Sequence, residues 1–152
     1  LPLGKRDLVK SRFLLVILFQ LVQMLAAVPF ALLRQSFAIP GNAAGMDAGI
    51  ALFGLALPML GIFNRIFLGS FFRQPTKVGT AFLKGCVGLT VCMALAETAV
   101  FTVPFFRDCL DTPDPEHLGA KLVVLAIGAA LYAALNAIAY RNCVKTFEKV
   151  DL

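Results

Sequence analysis

Charged residues are scarce in this chain. They make up 15% of its 152 residues, whereas hydrophobic residues make up 59%, and the mean hydropathy is +0.83. Soluble domains average about 25% charged residues, so the composition excludes an ordinary water-soluble domain. Tryptophan is absent and tyrosine occurs twice, so the aromatic residues that often mark membrane boundaries give little help in placing the ends of any spans.

Catalytic and metal-binding patterns are also missing. The four cysteines contain no CxxC pair, and His117 is the only histidine, so the ligands and the spacing of a structural zinc site are lacking. The sequence contains no GxSxG, HExxH or Walker motif, and every Asp lies outside the apolar runs, which excludes a pair of intramembrane aspartates. We therefore expect a protein that is not an enzyme, with no catalytic residue, no metal site and no cofactor of its own.

Long apolar runs dominate what is present. Residues 13–33, 48–72, 85–106 and 122–140 contain only two charged side chains, Arg65 and Glu97. At 1.5 Å per residue, the first two runs exceed the roughly 30 Å of a bilayer's hydrocarbon core and the other two are close to it or above it. The sequence predicts an all-α fold, a polytopic bundle of four transmembrane helices that forms a single membrane domain over residues 1–152.

The distribution of Lys and Arg predicts the orientation of these helices. Eleven of the fourteen lie in the N-terminal segment, in or beside the connection between the second and third runs, or in the tail. Because short cytoplasmic segments hold an excess of basic residues, we place residues 1–12, 73–84 and 141–152 in the cytoplasm. Residues 34–47 and 107–121, which hold three basic residues and five acids, are then external, and both ends of the chain are cytoplasmic.

The N-terminal stretch LPLGKRDLVKSRFLLVILF combines a basic start with a long apolar run. Residues 13–33 are too long for the apolar core of a cleavable leader, which has about 7–15 residues, and they have no polar face for lying on a membrane surface. The basic residues of the chain fall in separate short segments, which does not predict a nucleic-acid partner. Because the chain begins at Leu1, we expect a fragment of a longer protein.

Five polar or ionisable side chains inside the apolar runs are candidates to line a transport pathway: Gln20, Gln23, Asn64, Glu97 and Asn136. Glu97 is a candidate proton or substrate site, because ionisable groups within a span are costly and tend to face a cavity. The alternative is a structural hydrogen bond between helices. Counting the helical rise places Gln23 at a similar depth, as a possible partner, and Asn136 much nearer the cytoplasm, as a poor one.

Proline and small residues predict details of the helices. Pro29, Pro58 and Pro104 are expected to lie inside helices, where neighbouring helices or water satisfy the freed carbonyl groups. Small residues at four-residue spacing predict a face for close packing on the last helix, either within the bundle or in a dimer. They are Ala126, Ala130 and Ala134, with Gly128 nearby.

Three segments carry a resemblance to a known family: "LPLGKRDLVKSRFL", "VGTAFLKG" and "RNCVKTFEKVDL". With the order of spans and basic loops, they resemble the permease subunit of a bacterial ATP-binding-cassette exporter of the type-2 class. The resemblance covers essentially the whole chain but only the last four of the six spans typical of such permeases. It implies a bacterial inner (plasma) membrane, a homodimer or heterodimer with another permease, and a separate cytoplasmic ATPase that binds the ATP.

The resemblance also implies a role for the N-terminal segment. In such permeases the corresponding cytoplasmic connection contacts the ATPase, which makes five charged residues candidates for that contact: Lys5, Arg6, Asp7, Lys10 and Arg12. The simpler interpretation is that these charges only set the topology.

Two other functions remain open at this point. One is a four-span proton-coupled exporter that uses Glu97, similar to the small multidrug resistance proteins; the strong charge bias and the position of Glu97 in the third span speak against it. The other is a non-transporting membrane scaffold or immunity-type protein. The lipid bilayer is a partner in every case, and the sequence does not identify a substrate.

Overall fold

Four long helices make up most of the residues that the structure describes. The structure is a computed structural model that describes residues 4–37 and 45–149. The helices are α1 (Lys5–Ser36), α2 (Ile50–Arg73), α3 (Val78–Thr102) and α4 (Leu118–Glu148), with a short π-helical segment, Phe106–Leu110, between α3 and α4. Each of the four is long and apolar enough to cross a membrane. The predicted all-α bundle of four membrane-spanning helices is thereby confirmed.

The first and last helices extend well beyond the apolar runs. α1 has 32 residues and α4 has 31, which corresponds to roughly 47 Å each and exceeds the hydrocarbon core. The described parts of the predicted cytoplasmic ends, residues 5–12 and 141–148, are therefore helical continuations of the spans. The Leu-Pro pair of the N-terminal segment lies outside the described residues.

Pro104 does not lie inside α3, so its predicted position within that span was wrong. α3 ends at Thr102, Val103 has an extended backbone (φ −102°, ψ 115°), and Pro104 begins the short helical stretch that continues into the π-helical segment. A residue before proline avoids the helical region because its backbone clashes with the proline ring, and proline has no N–H to continue the helix. Pro29 and Pro58 do lie inside α1 and α2.

The closest helix contact joins α2 to α4 through two glycines. A Cβ atom on Gly128 would overlap the carbonyl oxygen of Gly54, and a Cβ atom on Gly54 would lie 2.8 Å from the backbone nitrogen of Leu125. The backbones of the two helices therefore touch at this point, as small residues permit in membrane bundles.

The alanines predicted to form a packing face do not pack within the bundle. Ala126, Ala130 and Ala134 are all exposed, whereas Gly128 is buried. Gly128 lies on the buried face of α4 together with Tyr132, Asn136 and Ala139, and the alanines lie on other faces of the same helix.

An apolar cluster joins three helices near the two ends of the described chain. It comprises Val9, Phe13, Leu68, Phe72, Ala139, Cys143 and Phe147. Beside it, the Arg6 side chain donates a hydrogen bond of 2.7 Å to Glu148, so the first turn of α1 lies next to the last turn of α4. The two ends of the described chain therefore lie at the same end of the bundle, the end that is predicted to face the cytoplasm.

Candidate functional site

A network of polar side chains lies in the centre of the bundle and joins α1, α2 and α4. The amides of Gln20 and Asn64 donate to each other at 2.8 Å in both directions. Asn64 also donates to Asn136 at 2.9 Å, and the hydroxyl of Tyr132 donates to Gln20 at 2.8 Å. All four side chains are buried, and Asn64 is 0% exposed.

The network satisfies groups that lipid cannot satisfy. A buried amide or hydroxyl without a partner is costly in a membrane, and here the Nδ2 group of Asn136 also donates to the carbonyl of Tyr132 at 2.9 Å. Interhelical hydrogen bonds in membrane proteins contribute on average about 0.6 kcal/mol each. Three of the four bonds between helices involve Gln20 of α1 and the fourth joins α2 to α4, so together they position the three helices more than they stabilise them.

A cavity of about 310 Å³ lies beside this network, between α1, α2 and α3. Its walls are mostly apolar, and its polar side chains are Gln20, Gln23 and Glu97. Gln20 belongs to both the cavity and the network, so the shape of the cavity depends on the hydrogen bonds that Gln20 makes to Asn64 and Tyr132.

Glu97 stands out within the cavity. Among the described residues, its Oε2 atom is the buried side-chain oxygen that has no hydrogen-bond partner. The backbone before α2 packs directly against it: a Cβ atom on Gly45 would lie 2.9 Å from Oε1, and Gly45 has a positive φ of 149°, a value that side chains disfavour.

The structure divides the five pathway candidates into two groups. Gln20, Asn64 and Asn136 are brought together in the network, whereas Gln23 and Glu97 line the cavity. The expected Gln23–Glu97 hydrogen bond is not among those of the described residues, and Glu97 Oε2 is unpaired. Tyr132 was missed by the sequence analysis.

The outer half of α1 lies between two cavities. The second, of about 510 Å³, separates α1 from α2 and α4 and is lined by residues that include Leu25, Val28 and Phe53. Towards the outside, Gln35 donates to the carbonyl of Ala48 at 2.8 Å. α1 is thus held near both ends and at Gln20, and cavities adjoin the stretch between Gln20 and Gln35 on two sides.

The end of the bundle opposite the Arg6–Glu148 contact is held by a buried lysine. Lys121 is 0% exposed, and its ammonium group donates to Asp114 at 2.8 Å, to the carbonyl of Thr112 at 2.6 Å and to that of Pro113 at 3.2 Å. Asp114 in turn accepts hydrogen bonds from the backbone N–H of Ile50 and from Gln35. One carboxylate therefore links the connection before α4 to the starts of α2 and α4 and to the outer end of α1.

The surroundings of Asp114 favour its ionised form. Burial alone would raise the pKa of this carboxyl group, but hydrogen bonds from Lys121, Ile50 and Gln35 and the charge of Lys121 outweigh burial and hold the pKa below its ordinary value of 3.8. A carboxyl group with a lowered pKa stabilises the fold above its unfolded-state pKa, and this contribution is lost as the pH falls through the folded-state value.

We therefore expect Asp114→Asn to lower the melting temperature of the detergent-solubilised protein at pH 7, because the substitution leaves Lys121 buried without its counter-ion. The difference from the wild type should begin to shrink as the pH falls below about 4, where the carboxyl group of the unfolded chain starts to bind a proton, and should continue to shrink until Asp114 is protonated in the folded state. Thermal melts at a series of pH values measure both effects. Glu116→Gln, an exposed change in the same connection, should melt like the wild type; a pH-independent cost of Asp114→Asn would contradict the prediction.

The five charged residues of the N-terminal segment lie on the N-terminal extension of α1, before its apolar run. Arg6, Asp7, Lys10 and Arg12 are exposed and Lys5 is half-buried. Between them, Val9 is 0% exposed and belongs to the apolar cluster with Phe13 and Phe72. The extension therefore has one face packed on the bundle and a charged face open to a partner.

Comparisons with protein-family models, with curated proteins and with solved structures found no match for this chain.

Proposed function

We propose that this chain is the transmembrane permease subunit of an ATP-driven exporter of the type-2 class, in the plasma membrane of a bacterial cell. In this proposal a separate cytoplasmic ATPase binds and hydrolyses ATP, and the chain works as a dimer with another permease. The chain itself supplies the contact for the ATPase and a wall of the transport path.

The observation that carries this proposal is the continuity of α1. A single helix runs from the charged extension at Lys5 to the cavity wall at Gln20 and Met24. Because a helix is stiff along its axis, a displacement of the extension is transmitted to the cavity. The stretch between Gln20 and Gln35, where cavities adjoin α1 on two sides, gives such a displacement room.

The packing of the N-terminal extension of α1 against α2 and α4 supports the same proposal. Arg6 binds Glu148 at 2.7 Å, and Val9 and Phe13 pack against Phe72 and Phe147. A force that a partner applies to the extension therefore reaches α2 and α4 as well as α1. A segment whose charges only set the topology has no need for this buried face.

The proposal predicts that the charged face of the extension couples ATP hydrolysis to the chain. We expect Lys5→Ala/Arg6→Ala/Asp7→Ala to reduce the stimulation of ATP hydrolysis at least about tenfold, because a loss of about 1.4 kcal/mol at a charged contact has that effect. The measurement is ATP hydrolysis in proteoliposomes that contain the chain and the ATPase encoded beside it. Membrane insertion should not change.

Two further variants make this test specific. Lys10→Ala/Arg12→Ala leaves the Arg6–Glu148 pair in place and should also reduce coupling. Arg107→Ala/Asp108→Ala removes an exposed ion pair of 2.8 Å at the other end of the bundle and should have no effect. Full coupling in both N-terminal variants would refute the proposed contact.

A proton-coupled exporter is the second candidate, favoured by the unpaired Glu97 Oε2 atom in the cavity. Transport measured in the same vesicles without the ATPase distinguishes the ATP-driven exporter from the proton-coupled one. Transport driven by an imposed pH gradient, and lost in Glu97→Gln, would support the second candidate; transport that requires ATP and the ATPase supports the first.

A further inference from the structure

All four methionines of the chain line the cavity that contains Glu97. They come from four different segments: Met24 from α1, Met46 from the backbone before α2, Met59 from α2 and Met93 from α3. The thioether side chain is unbranched, polarisable and adaptable, and it is over-used at surfaces that bind ligands of different shapes. Their concentration here gives the cavity a soft apolar wall.

The described residues that line the same cavity include one acidic residue and no basic one. The acidic residue is Glu97, and none of the others is Lys, Arg or His. A carboxylate at membrane depth is costly unless it is paired, protonated or wet, and Oε2 of Glu97 has no partner within the described chain. A bound cation would supply the missing charge.

The cavity is accessible from the side of the bundle. Its lining comes from α1, α2, α3 and the segment before α2, with no residue of α4. Met93 in its wall is 53% exposed, on the surface of α3 that faces lipid. A ligand that dissolves in the bilayer can therefore reach the cavity without crossing the aqueous phase.

We infer that this cavity binds a hydrophobic, monovalent organic cation. The positive charge lies against the Glu97 carboxylate, the apolar groups contact the methionines, and the Gln20 and Gln23 amides contact its polar substituents. A volume of about 310 Å³ is at the small end of the range for ligand cavities and suits a compact ligand. A single soft metal ion, which thioethers also bind, fills only a small part of this space.

As the class of a transported substrate, this inference rests on the proposed function. Binding itself does not, because it is measured on the purified chain without an ATPase. If the chain binds the cation but does not couple to ATP hydrolysis, the proposed function is refuted and the binding site stands. If the chain couples to ATP hydrolysis but does not bind the cation, only the binding site is refuted.

The test is equilibrium binding of radiolabelled benzyltrimethylammonium, a compact monovalent organic cation, to the purified chain in detergent. We expect saturable binding that Glu97→Gln weakens at least about 30-fold, which corresponds to about 2 kcal/mol. Glu116→Gln makes the same chemical change at an exposed carboxylate outside the cavity and should leave the affinity unchanged. Neutral neopentylbenzene, which has the same shape without the charge, should not distinguish the wild type from Glu97→Gln.

Additional variants keep the test decisive if Glu97→Gln is poorly folded. Glu97→Asp retains the charge and should bind more tightly than Glu97→Gln. Replacement of all four methionines by leucine keeps the apolar volume and should change benzyltrimethylammonium affinity less than threefold. The inference is overturned if no saturable binding is found, or if Glu97→Gln and Glu116→Gln bind with equal affinity. It is also overturned if the wild type binds silver ions and the leucine variant no longer binds the organic cation.

Discussion

Gly128→Ala is expected to destabilise the bundle by about 1–3 kcal/mol, the usual cost of overpacking a well-packed core. The added methyl group would overlap the carbonyl oxygen of Gly54, and backbone atoms cannot turn aside as a side chain can. The two helices must therefore move apart. Melting of the detergent-solubilised protein measures the loss.

The separation should also reach the central network. Asn64 and Asn136 belong to the same two helices, and their hydrogen bond of 2.9 Å lengthens if α2 and α4 separate. We expect Gly128→Val, which adds more volume at the same point, to have a larger effect than Gly128→Ala.

Glycines in open space provide the control for this prediction. A Cβ atom on Gly69 in α2 or on Gly119 in α4 would have nothing within 4 Å. Alanine at these positions should leave stability unchanged or raise it by up to about 1 kcal/mol, because alanine favours the helix over glycine. If Gly128→Ala melts like Gly69→Ala, the close contact between α2 and α4 is wrong.

Lys121→Met is the second substitution with a large expected effect. It keeps the aliphatic stem and removes the ammonium group, so Asp114 loses its counter-ion and two carbonyl groups lose a donor. Breaking a buried pair by removing one partner costs about 3–5 kcal/mol when both groups are fully buried. Since the side chain of Asp114 is 19% exposed, we expect about 3 kcal/mol.

A double-mutant cycle separates the ion pair from simple packing. If the pair carries the effect, Lys121→Met combined with Asp114→Asn should cost clearly less than the sum of the two single changes. Lys145→Met, at an exposed lysine of the same helix, should have little effect. Additive costs in the cycle would show that the ammonium group of Lys121 acts through the two carbonyl groups and not through Asp114.

The number and type of helices could be predicted from the sequence because lipid contact selects long apolar runs. Their ends could not. Residues 5–12 and 141–148 are polar enough to read as loops, yet Val9, Cys143 and Phe147 bury one face of each extension in the apolar cluster. Packing against neighbouring helices, which hydropathy does not report, extends the helices into water.

All five polar candidates lie in the network or in the cavity, but the expected pairing of Gln23 with Glu97 is not found among the described residues. Counting the rise places Gln20 and Asn64 each about 10–12 Å from the cytoplasmic ends of their predicted spans, and Tyr132 lies at a similar depth. This agreement was the available signal for the network. Depth alone does not say which helices are neighbours, and Gln23 and Glu97, although at similar depths, lie on helices with a cavity between them.

The cavity itself could not be predicted, because it depends on where α1 lies relative to α2. The four methionines are spread from residue 24 to residue 93, without any common spacing. Only the packing of three helices brings them to one place. Close contact at Gly54 and Gly128 holds α4 on the opposite side of α2, which leaves the face towards α1 and α3 open.

The contact between Arg6 and Glu148 makes the backbone a nearly closed ring. Consider a circular permutant that begins with α3 and ends with α2. A short linker joins residue 149 to residue 4, and the new ends lie in the turn between Gln74 and Lys77. In this permutant every helix would cross in its present direction. All buried contacts between helices would be retained. The order in which the four helices leave the ribosome is therefore not a requirement of this architecture.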